Sequence, residues 1–286
     1  MTRIALYFIG LVVLSSATAW AEGKRIVVAG GDLTEIVFAL GSGGDVVGVD
    51  QTSLFPQEAT SLPQIGYVRR LAAEGILSLS PDLVLAADDA GPKIAFDQLQ
   101  AANVTIARAP ETPEPADIAK KIAFVGEAIG KKAAADDLAT AFLADLASVK
   151  EKVARLPDRP KVLFILSVQG TAPLVGGRDT AAHVMIEAAG GENAASAFDG
   201  FKPMNKEAIL AAQPDVILMM QQHAQRIGGI EKVMARPEIS LTPAGQKNRH
   251  VTMDGLFLLG FGPRTADAIA ELAAALQPEA AAAAGF

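Results

Sequence analysis

"EGILSLSPDLVLAADD", residues 74–89, is matched later in the chain by "EAILAAQPDVILMMQQ", residues 207–222. Each stretch contains, in order, a glutamate, a short helical segment, a Pro-Asp turn and an apolar run rich in Val, Ile, Leu or Met. Such a run is typical of a strand buried in a parallel sheet. A second pair, "GGDLTEIVFALGSGG" (30–44) and "GGRDTAAHVMIEAAGG" (176–191), occurs in the same order. The two matched pairs predict two lobes of like topology.

Seven apolar runs in all predict buried strands, and helical patterns lie between them. The runs are "RIVVAG" (25–30), "DVVGV" (45–49), "DLVLAA" (82–87), "VTIARA" (104–109), "KVLFIL" (161–166), "DVILMM" (215–220) and "RHVTM" (249–253). Asp32 is the predicted N-cap of the first helix, and Asp179 or Thr180 caps its counterpart. Strands alternating with helices predict an α/β fold, in which each lobe is a mainly parallel sheet flanked by helices and a ligand cleft lies between the lobes.

The segment between the two halves predicts a long connecting helix. It is rich in Ala, Lys, Asp and Glu, with apolar residues at helical spacing. Gly130 is expected to separate two helices, and Pro157 and Pro160 to end the second. We therefore expect an N-terminal lobe over 22–130, a connecting helix over 131–156 and a C-terminal lobe over 157–286.

The N-terminus predicts secretion. Arg3 precedes an apolar run from Ile4 to Leu14, and small residues follow up to Ala21. This is the pattern of a signal peptide spanning residues 1–21, with cleavage after Ala21. Cleavage would remove Tyr7, one of two tyrosines in the chain. The chain has no cysteine, so its fold is expected to be held without disulfides by a large core. These features predict a periplasmic protein.

Composition and motifs exclude several functional classes. The formal net charge of -7 argues against nucleic-acid binding. Neither a Gly-x-Ser-x-Gly elbow nor a Gly-Lys-[Ser/Thr] phosphate loop occurs in the sequence, so an enzyme is not expected. The three histidines, His183, His223 and His250, lack metal-ligand spacing. His223 follows a predicted strand, at the end where α/β proteins bind ligands, and is retained as a candidate site residue.

Tyr67 is the main candidate for a residue that binds the ligand. It lies in the irregular segment "LPQIGYVRR" (62–70), between two strand units. Arg69 is two residues further on, so in an extended segment both side chains point the same way. A guanidinium beside a phenol favours the phenolate. Tyrosine is among the side chains that bind haem iron. The alternative for such a residue is a rim tyrosine that packs its ring and hydrogen-bonds water.

The chain resembles the periplasmic haem-binding proteins of bacterial haem ABC importers. The resemblance spans nearly the whole mature chain and is carried by four stretches, "IGYVRRLAAEGILSLSPDLVL" (65–85), "VGGRDTAAHVMIEAAGGENAA" (175–195), "EAILAAQPDVILMM" (207–220) and "LTPAGQKNRHVTMDGLFLLGFGPRTADA" (241–268). It implies that Tyr67 is the axial ligand of ferric haem b, the transported ligand, and that Arg69 supports the phenolate. It also implies that Arg226 faces the haem from the C-terminal lobe.

The same resemblance implies the partners. Glu74 and Glu207 would dock onto an inner-membrane ABC permease that works with its ATPase, downstream of an outer-membrane haem receptor system. Some relatives use a second ligand, often a histidine, from the other lobe. The corresponding loop here, "VQGTAPLVGG" (168–177), contains none, which favours a five-coordinate site with a single haem. A monomer is expected.

Two questions stay open at this point. Phe55, Phe201, Met204 and Phe257 are candidate cleft walls, but the sequence does not separate wall from core. A cobalamin or ferric-siderophore carrier on the same scaffold is the alternative function; it predicts no haem absorption band and no effect of replacing Tyr67. A secreted hydrolase would require a nucleophile elbow or a His/Asp/Glu cluster, and neither is evident.

Overall fold

The structure is a computed structural model that describes residues 24–168, 170 and 172–286. The predicted signal peptide, its cleavage site and Tyr7 lie outside the described residues. Among the described residues, no helix has both the length and the apolar character needed to cross a membrane.

The first lobe is built on a four-stranded, entirely parallel sheet. Its strands are β1 (Ile26–Ala29), β2 (Val46–Val49), β3 (Leu83–Ala86) and β4 (Thr105–Arg108), in the order β2-β1-β3-β4. The helices of this lobe are α1 (Gly31–Ala39), α2 (Ala73–Leu77), α3 (Lys93–Ala101) and α4 (Ile118–Ile129). β1 and β3 are buried along their whole length, because helices cover both faces of the sheet.

A 22-residue helix, α5 (Lys132–Val153), leads from the first lobe toward the second. At 1.5 Å per residue its length is about 33 Å. Gly130, with φ of 76°, ends α4 in the left-handed conformation and allows the chain to reverse into α5. Ala135, Phe142 and Leu146 form the buried side of this helix.

The second lobe contains a mixed sheet in the order β10-β9-β5-β6-β8, with β7 paired to β5. Its strands are β5 (Lys161–Ser167), β6 (Leu174–Gly176), β7 (Glu192–Asn193), β8 (Phe201–Pro203), β9 (Val216–Met220) and β10 (His250–Met253). β5, β9 and β10 are parallel, whereas β6 and β8 are antiparallel additions at one edge. All seven predicted runs are strands. β6, β7 and β8 were not predicted, because strands of two or three residues carry no periodicity.

The helices of the second lobe are short. They are α6 (Ala181–Ala188), α7 (Lys206–Ala212), α8 (Gln221–Arg226), α9 (Glu231–Met234), α10 (Pro237–Ser240), α11 (Pro243–Gln246), α12 (Gly255–Leu259), α13 (Thr265–Leu276) and α14 (Pro278–Ala284). Both α13 and α14 pack against α5. The C-terminal helices therefore fasten the second lobe to the long helix.

One of the two capping predictions is wrong. α1 begins at Gly31 with Gly30 as its N-cap, and Asp32 makes no capping hydrogen bond. Its carboxylate is instead paired with the buried ammonium of Lys121 on α4, which would otherwise be an uncompensated buried charge. In the matching helix the cap is Thr180, whose hydroxyl accepts a hydrogen bond from the amide of His183.

The core consists of two clusters divided by the second sheet. Val162 and Phe164 of β5 belong to the larger cluster, which continues through the first sheet, whereas Leu163 and Ile165 belong to the smaller one on the other face. This split follows from the alternation of side chains along a strand. Because the larger cluster includes residues of both lobes, the lobes share one continuous apolar core.

Candidate ligand-binding site

The candidate residues lie where parallel strands end. The loop after β2 carries Tyr67 and Arg69, α8 follows β9 with His223 and Arg226, and α12 follows β10 with Phe257. In α/β proteins the carboxyl edge of the strands is the usual place of ligand binding. The topology alone therefore gathers these residues from distant parts of the chain onto the carboxyl edges of the two sheets.

The backbone around Tyr67 alternates between buried and solvent-facing side chains. Val68 and Leu71 are buried, while Tyr67 is half-buried and Arg69 is exposed. Gly66 precedes the tyrosine with φ of 101°, a conformation that favours glycine. The carbonyl of Gly66 accepts a hydrogen bond from the amide of Gln51 at 2.9 Å. These contacts fix the segment that carries Tyr67, whose half-buried ring packs against the larger core cluster.

Arg69 lies between the phenol and a carboxylate. Its Nη1 donates to Tyr67 Oη at 3.3 Å, and its Nε and Nη2 donate to Asp89 Oδ2 at 2.7 and 2.5 Å. Burial alone would lower the pKa of Arg69. The hydrogen bonds and negative charge of Asp89 outweigh that effect, with a smaller contribution from Tyr67, so the pKa of Arg69 is raised overall. The guanidinium is therefore a permanent cation beside the phenol oxygen.

Two further arginines shape this part of the site. The guanidinium carbon of Arg70 lies 5.6 Å from the centroid of the Tyr67 ring, within the range of a cation–π contact. Arg108, at the end of β4, donates from Nη1 to the carbonyls of Ala87, Asp88 and Ala90 at 2.9–3.0 Å. Arg108 thus fixes the loop that carries Asp89.

A cavity of about 700 Å³ lies beside the Arg69–Asp89 pair, between the lobes. The first lobe contributes Arg69, Asp88 and Asp89 to the lining of this cavity. The second lobe contributes Thr180 and His183, at the start of α6, and other residues that include Phe261. The volume is within the usual range for small-molecule sites. The pair therefore borders a space in which a ligand can contact both lobes.

Large apolar side chains are exposed near the ends of the strands. Leu54 and Phe55, on the loop after β2, are 49% and 43% exposed, and Ile94, which follows β3, is 62% exposed. Phe201 of the second lobe is 42% exposed, and Phe257 is half-buried. Phe55, Phe201 and Phe257 are accessible to solvent, as a cleft wall requires, and their role as walls stays a prediction. Met204 does not meet this requirement, because it is only 8% exposed and belongs to the core of the second lobe.

A buried set of charges fastens the two lobes together. Glu35 of α1 is 4% exposed and accepts two hydrogen bonds from Arg264, which follows α12, at 2.6 and 2.9 Å. Burial raises the pKa of Glu35, and the hydrogen bonds and charge of Arg264 counteract only part of that rise. The same guanidinium stacks on the ring of Phe55 at 3.7 Å. Nearby, Lys121 donates to the carbonyl of Phe261 at 3.2 Å.

His223 and Arg226 are placed on the second lobe but are not joined to the tyrosine. Nδ1 of His223 lies 2.5 Å from the carbonyl oxygen of Leu166, so Nδ1 is the donor. In the neutral ring Nε2 is then an acceptor. Arg226 ends α8 and is exposed. Over the described ranges, no hydrogen bond or ion pair links either residue to Tyr67 or Arg69.

The remaining candidates have clear positions. Glu74 lies in the first turn of α2 and Glu207 in the first turn of α7, and both are exposed. His250 begins β10, as predicted, and its Nδ1 is buried without a hydrogen-bond partner in the described part of the chain. His183 lines the interlobe cavity, with its Nδ1 3.4 Å from the side-chain Nδ2 of Asn193.

Sequence reasoning missed Asp89, Arg264 and Glu35. The doublet Asp88-Asp89 directly after a predicted strand was the available signal for Asp89, since a carboxylate at that end of a parallel strand faces the ligand edge. No signal connects Glu35 with Arg264, because 229 positions separate them.

The fold resembles that of solved haem-binding proteins. The chain is 42% identical to the periplasmic haem-binding protein RhuT from Roseiflexus sp. RS-1 in apo form, with a TM-score of 0.87 over 91% of this chain and 99% of that one. It is also 42% identical to the periplasmic haem-binding protein BhuT in complex with two haems, with a TM-score of 0.86 and the same coverage of both chains.

Curated relatives are more distant in sequence. An uncharacterized ABC transporter substrate-binding lipoprotein of Bacillus subtilis, YvrC, is 30% identical over 90% of this chain and 81% of its own length. A vitamin B12-binding protein of Vibrio parahaemolyticus is 27% identical over 95% of this chain and 96% of its own length. The family model described as "Periplasmic binding protein" matches residues 26–255.

Proposed function

The chain belongs to the periplasmic binding protein family, and from that premise we propose that it captures ferric haem in the interlobe cleft and delivers it to an inner-membrane ABC permease. It is a substrate-binding protein of an ABC transporter and not an enzyme. In this proposal the phenolate of Tyr67 is the axial ligand of the iron. Capture takes place in the periplasm, after removal of the signal peptide, and the permease with its ATPase receives the haem.

The observation that carries the proposal is the contact between Arg69 Nη1 and Tyr67 Oη at 3.3 Å. A phenolate is a hard anion that suits ferric iron, and tyrosine is a known axial ligand of haem. The adjacent guanidinium complements the negative charge of a phenolate oxygen that binds iron. Tyr67 does not itself line the interlobe cavity, but its hydrogen-bond partner Arg69 does, so the phenol lies next to a space that both lobes line.

The exposed apolar side chains support the same ligand. Leu54, Phe55 and Ile94 leave hydrophobic surface uncovered on the first lobe, and Phe201 does so on the second. Exposed apolar surface of this kind commonly marks a binding site. A flat porphyrin between two lobes would cover such surface, and its burial would supply most of the affinity.

Cobalamin is the alternative ligand, because a relative of similar length is a vitamin B12-binding protein. Haem is favoured by the chemistry of the site. Haem has two propionates, whereas the side chains of the corrin ring are largely neutral amides. The exposed cations Arg70 and Arg226 complement carboxylates better than amides. Haem is also the ligand named for structures to which the chain is 42% identical.

Tyr67→Phe is the direct test. Removing one oxygen preserves the ring and its packing, so the fold should be unchanged. Titration of the wild type with ferric haem should produce a Soret band and a phenolate-to-iron charge-transfer band. The variant should lose the charge-transfer band and bind haem at least about 10-fold more weakly, the size of effect seen when metal-site partners are removed. The endpoint of the titration also tests the expected single haem.

Equal charge-transfer bands in both proteins would refute the tyrosinate ligand. A parallel calorimetric titration with cyanocobalamin separates the two functions. Cobalamin would be the ligand instead of haem if the protein binds cobalamin tightly, if Tyr67→Phe leaves that binding unchanged, and if adding haem produces no Soret shift.

A further inference from the structure

The guanidinium of Arg69 has two partners, and Asp89 is the stronger of them. Nε and Nη2 both donate to Asp89 Oδ2, at 2.7 and 2.5 Å, while Nη1 reaches Tyr67 Oη at 3.3 Å. Arg69 is 62% exposed. A long, solvent-facing side chain has many rotamers, and one hydrogen bond of 3.3 Å is too weak to select among them. The two short bonds to Asp89 fix the plane of the guanidinium.

The loop that carries Asp89 is itself held against the loop that carries Tyr67. The amide of Gly91 donates to the carbonyl of Val68 at 2.9 Å, and the amide of Leu71 donates to the carbonyl of Gly91 at 2.8 Å. Arg108 ties the carbonyls of the Asp89 loop from the other side. Asp89 is therefore placed relative to the phenol by backbone contacts as well as through Arg69.

We propose that Asp89 is a positioning residue for haem capture, which holds Arg69 so that Nη1 faces the oxygen of Tyr67. The inference rests on the proposed function. Phenolate, guanidinium and carboxylate together carry one negative charge, and the ferric porphyrin core carries one positive charge. The ferrous core is neutral, so this triad of Tyr67, Arg69 and Asp89 favours oxidised over reduced haem.

A purely electrostatic role for Asp89 predicts a different pattern among variants. Removing the carboxylate takes one negative charge from the triad, so Asp89→Asn would weaken ferric haem binding in either case. Asp89→Glu keeps that charge and would match wild type if charge alone mattered. A positioning role predicts that Asp89→Glu remains weaker than wild type, because the longer side chain holds the guanidinium in a different place. The behaviour of Asp89→Glu therefore distinguishes the two roles.

The test compares Asp89→Asn, Asp89→Glu and the matched control Asp97→Asn. Asp97 also forms an exposed ion pair, with Lys93 on α3, and it does not line the interlobe cavity. In Asp89→Asn we expect ferric haem to dissociate about 10-fold faster, which is the lower end of the effect seen when a hydrogen-bond partner of a metal ligand is lost. We also expect a shifted charge-transfer band. Asp89→Glu should restore only part of both effects, and Asp97→Asn should match wild type; full recovery in Asp89→Glu would overturn the positioning role.

A second measurement needs no haem. In ¹⁵N NMR of the free protein, the Arg69 Nε–H signal should be protected from exchange in wild type and in Asp97→Asn, and should lose that protection in Asp89→Asn. Stability toward urea should not change in any variant, because an exposed ion pair contributes little to folding.

The possible failures are distinguishable. Unchanged or slower haem dissociation in Asp89→Asn would overturn the positioning role while leaving haem capture intact. An unaltered Arg69 Nε–H signal in that variant would overturn it whatever the ligand is. Absence of haem binding by the wild type would overturn the proposed function and this inference with it.

Discussion

At the scale of single residues, the site depends on the backbone conformation of Gly66, directly before Tyr67. Gly66 has φ of 101°, and a Cβ added there would come no closer than 3.7 Å to another heavy atom, the carbonyl oxygen of Arg70. Space is therefore available, and the conformation alone demands glycine. After this turn, Tyr67 and Arg69 project on one side while Val68 is buried on the other.

Gly66→Ala should consequently destabilise the protein by about 1–3 kcal/mol, the usual cost of a non-glycine residue in a sparsely populated backbone region. It should also weaken haem binding, because relaxation of the turn would move the adjacent Tyr67. Urea unfolding and a haem titration measure the two effects.

Gly75→Ala is the matched control. Gly75 is inside α2, has no positive φ, and an added Cβ would meet no atom within 4 Å. The same substitution should stabilise this helix by about 0.5–1 kcal/mol. If both substitutions destabilise the protein equally, the conformational explanation for Gly66 is wrong.

At the scale of elements, α2 and α7 are the matched helices of the internal repeat. Each is short, and each presents an exposed glutamate, Glu74 or Glu207, in its first turn. A carboxylate in the first turn interacts favourably with the helix dipole. That effect alone explains one such glutamate, whereas an equivalent pair with one member on each lobe favours docking to a two-fold permease.

The double variant Glu74→Ala/Glu207→Ala should bind haem as wild type does and fail to support haem uptake with its own permease. The binding site is preserved because neither residue lines the interlobe cavity. Uptake of haem into permease-containing vesicles is the measurement, and normal transport by this variant would refute docking through these helices.

The control for charge loss is Glu58→Ala/Glu231→Ala. Both of these glutamates are also exposed in the first turn of short helices. Transport should be normal in this variant, and a defect equal to that of the first pair would indicate a general electrostatic effect.

At the scale of the whole molecule, the lobes are held together by a shared core and a buried ion pair. Arg264, after the last strand of the second sheet, binds Glu35 on the first helix of the first lobe. The same guanidinium lies over Phe55, an exposed residue of the candidate cleft wall. One side chain thus couples the junction between the lobes to the surface offered to the ligand.

Arg264→Met should lower the free energy of unfolding by about 3 kcal/mol near neutral pH, because it leaves a buried carboxylate unpaired. The pKa of Glu35 is already raised above 4.5 by burial, so the native state binds this proton more tightly than the unfolded chain. The contribution of Glu35 to stability therefore increases as the pH falls through the range above 4.5. Urea unfolding over a pH series should show a smaller defect in Arg264→Met at the acid end.

Arg178→Met is the control, because its ion pair with Asp199 is exposed on both sides, at 53% and 59%. Its cost should stay within about 0.5 kcal/mol. The double variant Glu35→Leu/Arg264→Met should recover much of the loss, as apolar replacement of buried ion pairs often does. An Arg264→Met defect that does not vary with pH would exclude the unpaired carboxylate as its cause.

The strands and the main contact of the site were predictable for local reasons. Every predicted strand is present. The inner strands β1, β3, β5 and β9 carry continuous apolar runs because both faces of a parallel sheet are covered, whereas β4 and β10 lie at sheet edges and are not buried as predicted. The proximity of Tyr67 and Arg69 was predicted from the two-residue period of an extended segment. That reason is wrong, because the segment forms a turn in which the amide of Arg70 donates to the carbonyl of Tyr67 at 2.7 Å. The short edge strands β6 and β8 and the core position of Met204 have no comparable local pattern.

The α/β architecture and the two related halves can be predicted from local sequence alone, and so can the proximity of a phenol and a guanidinium. Each of these features depends on residues that are close together in the chain. Three other contacts are known only from the folded structure: Asp89 binds Arg69, Asp32 pairs with Lys121 instead of capping a helix, and Arg264 links the two lobes through Glu35. These contacts join loops and helices distant in the chain. The packing of the two sheets determines which segments become neighbours, and therefore which side chains pair. The spacing of residues along the chain does not predict these pairs.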